Sequence, residues 1–173
     1  MSQPLVPAYG TSTLSDLLPS VSAVLGLPGR ENVLKLPEAE RFVVLLVDGL
    51  GWHLLEGREA LAPFLCELRT RARPITSGVP STTATSVTSL GTGLTPGQHG
   101  IAGYTFRYSG GLLNALLWQD GLDGLDVQPQ LTLFERLTKA GVYCCTVTPS
   151  RFRGSGLTTC ALRGADFLGY PEE

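Results

Sequence analysis

Histidine is nearly missing. The 173-residue chain holds only His53 and His99, so no centre that needs three imidazole ligands can be assembled from it alone. The four cysteines, Cys66, Cys144, Cys145 and Cys160, fall in neither CxxC nor Cys/His zinc spacing. They read as reduced thiols, buried as free cysteines usually are. Charge is sparse as well: 13 Lys and Arg against 15 Asp and Glu leave a net charge of -2. That gives no basic footprint for a phosphate backbone and excludes a role in reading nucleic-acid duplexes. No apolar run approaches the roughly 20 residues needed to cross a bilayer, and residues 1–7 lack the basic start and apolar core of a secretory signal. A cytoplasmic protein without a membrane partner is the expectation.

What is present suits a folded domain, because 43% of the residues are hydrophobic, enough to build a core at this length. Residues 1–40 form an N-terminal arm rich in Ser, Pro and Leu. Within it Thr13 to Asp16 has the form of a capping box, followed by Leu14, Leu17, Leu18, Val21, Val24 and Leu25 at helical spacing and a stop at Gly26. Pro19 argues against an unbroken helix there. Residues 42–47, FVVLLV, are apolar without alternation, as in a strand buried on both faces of a parallel sheet. Helices to cover it are predicted at 63–71 and from a capping box at Thr132 and Glu135 to Gly141. A second β-rich run spans 142–148. This alternation gives an α/β class with a mostly parallel sheet. Segments 101–108 and 112–118 around Ser109-Gly110-Gly111 predict a hairpin insertion over 101–120. Its aromatic residues read as packing groups, with a share in a leaving-group pocket as the alternative.

Ligands in open α/β sheets sit beyond the carboxyl ends of the strands, which is where Asp48 stands, followed by Gly49. Asp48 reads either as a metal-holding carboxylate or as a simple cap. The run at 78–93, GVPSTTATSVTSLGTG, is dense in hydroxyls. Pro80 directs the loop, and the following residues predict a tight helix over 83–90 closed by Gly91 or Gly93. A hydroxyl at its start reads either as an N-cap or as a nucleophile placed where backbone N–H groups and the helix dipole favour phosphate.

Taken together with LTPGQHGI at 94–101, the segments VDGL at 47–50 and PSTT at 80–83 resemble the type I phosphodiesterase/nucleotide pyrophosphatase branch of the alkaline phosphatase superfamily. The resemblance covers roughly residues 14–170. It implies an alkaline-phosphatase-like fold, a mostly parallel central sheet between helical layers, of which this chain would be the incomplete N-terminal part with a metal and nucleophile half-site over 41–100. It also implies two zinc ions in a complete site, Asp48 as a metal ligand, and Thr83 as both nucleophile and ligand, with Thr82 as the neighbouring alternative. Ser86 takes the position of a phosphate-contacting asparagine, and His99 a structural role. The implied reaction is hydrolysis of a phosphodiester or pyrophosphate bond in a small-molecule phosphate ester or nucleotide, through a phosphothreonine. The family's other ligands have no counterpart here, so the chain is expected to be inactive alone. Self-association or pairing with a missing C-terminal half would follow. A non-catalytic phosphate-binding module and phosphomonoesterase or sulfatase chemistry are the alternatives. Asp120, Asp123, Asp126 and Asp166 do not replace the missing ligands, since 121–126 reads as a surface turn.

Overall fold

A computed structural model describes residues 5–118 and 121–172. The chain is a mixture of helices and two small sheets, an α/β arrangement without a complete central sheet among the described residues. A 3-10 turn at Leu14–Asp16 leads into α1 (Leu17–Val24), and the Thr13/Asp16 capping box forms as the sequence requires. Because α1 begins only at Leu17, Pro19 lies in its first turn, where a missing N–H costs nothing. Gly26, at φ +85°, closes the helix, and the Leu27 N–H returns to the Ser22 carbonyl at 2.9 Å.

α2 (Pro63–Arg71) occupies the predicted range but buries none of its residues. α3 (Thr83–Thr92) ends at Gly93 in the left-handed conformation, one turn fragment later than the nearer predicted stop. α4 (Pro96–His99) follows at once. The hairpin forms with β1 (Thr105–Tyr108) antiparallel to β2 (Gly111–Asn114). Ser109 and Gly110, both at positive φ, make its two-residue turn. The predicted surface turn near 121–126 instead carries α5 (Gly124–Val127), capped by the Asp123 carboxylate on the Leu125 N–H at 2.9 Å. Asp120 lies outside the described residues.

α6 (Leu133–Lys139) starts at the predicted Thr132/Glu135 capping box. β3 (Cys145–Pro149), α7 (Gly156–Leu162) and β4 (Asp166–Tyr170) form a strand, helix, strand unit whose strands are parallel, Cys145 facing Asp166 and Pro149 facing Tyr170.

Two corrections arise here. Residues 42–47 form no strand: the segment has no regular secondary structure and no ladder partners, and Val43 and Leu45 are 95% and 83% exposed. Only Phe42 packs on the core. A run apolar on both faces needs layers on both sides, and among the described residues neither neighbouring strands nor α2 supply them. The thiols are free, but only Cys160 is buried. Cys145 is exposed on the two-stranded β3–β4 sheet. Burial pushes the Cys160 thiol up to about 12, which holds it as a thiol.

α3 organises the packing. One cluster on its flank gathers Ala84, Ile101, Leu113, Ala115, Val127 and Cys160, with Phe106, Tyr108 and Trp118 against it. The other gathers Leu18, Val21, Leu90 and Leu133. The hairpin aromatics Phe106, Tyr108 and Trp118 therefore pack, as read. Gly91 lets α3 and α7 approach closely, since a Cβ there would overlap the Ala161 carbonyl. Gly91→Ala is predicted to cost about 1–3 kcal/mol by forcing the helices apart, whereas Gly97→Ala, with open space around it, is predicted to be neutral or mildly stabilising. Urea unfolding of the two variants checks this, and equal midpoints would contradict the close-packing account.

Candidate functional site

The site forms where the α3 N-terminus meets the turn after residues 42–47. Gly49 at φ +73° allows the backbone to reverse, and the Leu50 N–H closes the turn on the Val47 carbonyl at 3.4 Å. Asp48 caps no helix. Its Oδ2 instead accepts a hydrogen bond from Thr83 Oγ1 at 3.1 Å, joining residues 35 apart in sequence.

Thr82 and Thr83 are separated by geometry. Thr82 is the N-cap in extended conformation; its hydroxyl faces inward, accepting from the Thr85 N–H at 3.5 Å and donating to Thr85 Oγ1 at 3.0 Å. Thr83 is the first helical residue, and its hydroxyl faces outward to Asp48. The Thr83 and Ala84 N–H groups have no acceptor within the helix, and they lie at the positive end of its dipole.

Ser86 stands one turn further along the same face. It is half-buried, its N–H donates to the Thr82 carbonyl at 2.9 Å, and no hydrogen bond joins its hydroxyl to Asp48 or Thr83. The structure thus brings together Asp48 and Thr83 and leaves Ser86 beside them.

His99 is buried and tied to α3. Its Nδ1 accepts from the Ile101 N–H at 3.1 Å, so in the neutral ring Nε2 carries the proton and donates to Ser89 Oγ at 2.9 Å. Burial pulls its pKa down to about 4. His53 lies on the surface, 3.0 Å from Glu56, whose carboxyl is held below its usual range first by that hydrogen bond. Arg69 joins the same carboxylate at 2.6 Å.

Asp48 and Thr83 bring two oxygen donors together. An ion about 2.0–2.2 Å from each of two oxygens in tetrahedral geometry needs them roughly 3.3–3.6 Å apart, close to the observed Asp48–Thr83 separation. Both donors are hard oxygens open to solvent. No group of three His, Cys, Asp or Glu residues able to hold a metal exists among the described residues, and two oxygens are fewer than the four ligands of a tetrahedral zinc centre. Asp123 is engaged as a cap and Asp166 begins β4.

The sequence profile of the type I phosphodiesterase / nucleotide pyrophosphatase family matches residues 42–148, well over half of the chain. The chain belongs to this family. The matched stretch runs from the segment before Asp48 through the α3 start and His99 into β3. Comparison with curated proteins and with solved structures returned no match. No helix among the described residues is long and apolar enough to cross a membrane.

The hydroxyl pairing of Thr82 with Thr85 escaped the sequence reading. A Thr at an N-cap and another three residues on would have signalled it.

The buried neutral His99 makes stability depend on pH. Below its ordinary value near 6.5 the unfolded chain binds a proton there that the folded chain refuses until about pH 4. The stabilisation is therefore complete above pH 6.5 and is lost as pH falls through that window. The loss between pH 7 and pH 5 is predicted at about 2 kcal/mol. In His99→Gln, which lowers stability at pH 7, this part of the slope should vanish. Urea unfolding at the two pH values checks it, and an unchanged slope would refute the assignment.

Proposed function

We propose that this chain carries the nucleophile half of a metal-dependent hydrolase acting on phosphodiester or pyrophosphate bonds of nucleotide-type substrates. The carrying observation is the 3.1 Å contact between Thr83 Oγ1 and Asp48 Oδ2 at the α3 N-terminus. Membership in a phosphodiesterase and nucleotide pyrophosphatase family supports the substrate class.

In this reading the unpaired Thr83 and Ala84 N–H groups orient a phosphoryl oxygen, and the helix dipole favours its negative charge. Thr83 Oγ1 attacks phosphorus in line as its proton passes to solvent water, the bond from phosphorus to the leaving-group oxygen breaks, and the phosphothreonine that remains is cleaved by water. A zinc ion held by Asp48 and Thr83 would supply the positive charge that a neutral threonine hydroxyl needs in order to act as a nucleophile at neutral pH. Ser86 offers a hydroxyl to the phosphate from the next turn. Two zinc ions belong to the complete site, and the chain by itself is inactive or nearly so.

A second reading, a phosphate-binding module without metal chemistry, is favoured by one observation: no three-residue metal-holding group occurs among the described residues. Zinc titration followed by NMR separates the two. The hydrolase reading predicts shifts confined to residues 48–49 and 82–85, abolished in Asp48→Ala. Shifts elsewhere, or none at zinc concentrations that saturate a two-ligand site, favour the module. Nitrophenyl phosphodiester hydrolysis is predicted to be near background, and any turnover present should drop on the order of 100-fold or more in Thr83→Ala. Turnover surviving that change would sink the assignment of Thr83.

A further inference from the structure

We infer that a hydroxyl chain anchored on His99 is what positions Thr83, through its neighbour Thr82; this rests on the proposed role of Thr83. The links are continuous and each donor is fixed. His99 Nε2 donates to Ser89 Oγ at 2.9 Å, and the Ile101 N–H donates to His99 Nδ1 at 3.1 Å. Thr85 Oγ1 donates to the Ile101 carbonyl at 3.0 Å, and Thr82 Oγ1 donates to Thr85 Oγ1 at 3.0 Å. Thr85 Oγ1 therefore has one acceptor and one donor and no freedom to rotate. Thr85, Ser89 and Ile101 are essentially excluded from solvent, and His99 is 2% exposed. Losing the Ser89 link leaves the buried His99 Nε2–H without its acceptor.

The support for Thr83 has to come from this side. Asp48 stands after an exposed segment with no ladder partners, so a hydrogen bond to it does not hold Thr83 more firmly than Asp48 itself is held. The α3 side does, because the inward-turned Thr82 hydroxyl fixes the backbone direction from which Thr83 enters the helix. Thr82, Thr85 and His99 are thus positioning residues, and none of them touches the reacting atoms.

Thr83 χ1, read from three-bond couplings to its methyl carbon in labelled protein, tests this. Thr85→Val keeps the shape and removes the hydroxyl, Thr85→Ser restores it, and Ser89→Ala cuts the far end of the chain. One dominant Thr83 rotamer is expected in the unaltered protein, averaging over the wells in Thr85→Val, recovery in Thr85→Ser, and partial averaging in Ser89→Ala. A Thr83 rotamer already averaged in the unaltered protein would overturn the inference, as would one that stays fixed in Thr85→Val while the urea midpoint falls. If Thr85→Val does not fold, Ser89→Ala decides, and a rotamer there as fixed as in the unaltered protein counts against it. Because the readout is a rotamer, failure of the zinc and turnover tests above leaves this result standing, and the two failures are distinguishable.

Discussion

Burying a helix as polar as α3 is the constraint on which the structure depends. Thr85, Thr88, Ser89 and Thr92 lie on its inward side and are almost without solvent contact. Each buried hydroxyl would cost about 1–3 kcal/mol if left unpaired. The cost is avoided locally: Thr88 and Thr92 donate back to the carbonyls four residues earlier, at 2.8 and 2.6 Å, and Thr85 and Ser89 reach the segment at 99–101. Small side chains then let neighbours come close. Ala161 abuts Gly91, and Pro19 and Leu133 close on Gly93. A larger or fully apolar helix would pack, but it would lose both the close approach to α7 and the tether to His99.

That tether explains why a histidine is present where no imidazole chemistry is needed. A buried imidazole with both nitrogens satisfied crosslinks a helix to the following loop. Its depressed pKa is the electrostatic consequence of that burial. Ile101, fully buried, adds an apolar anchor at the same point, so the loop is fixed by backbone, side chain and packing together.

Legibility in the sequence followed the range of the interactions. The Thr13 and Thr132 boxes, the α3 start, the hairpin turn and the glycine stops at 26, 93 and 141 are set by residues within four positions of one another, and all formed. The 42–47 segment failed because an apolar run specifies burial but not what buries it. The Asp48–Thr83 pairing was visible only as motif resemblance, since no local rule joins positions 35 apart. The Thr82–Thr85–Ile101 chain was missed for a related reason: hydroxyl-rich composition shows that hydrogen bonds must be made, and only the fold shows with whom. The apolar neighbours of Cys145 suggest burial, yet no residue of β3 or β4 is buried and Cys145 is exposed.

The proposed half-site is consequently asymmetric. Its Thr83 side is built into the packed centre, between two hydrophobic clusters and a hydrogen-bond chain. Its carboxylate side hangs from an exposed segment that joins the core through Phe42. A hydroxyl that must attack along one line needs its direction fixed before any partner arrives, because misplacement of a reacting atom is costly in rate. A carboxylate that only supplies charge tolerates more freedom, and the layers that would cover 42–47 would also tighten Asp48. The order of rigidity in the chain thus follows the geometric demands of the proposed chemistry.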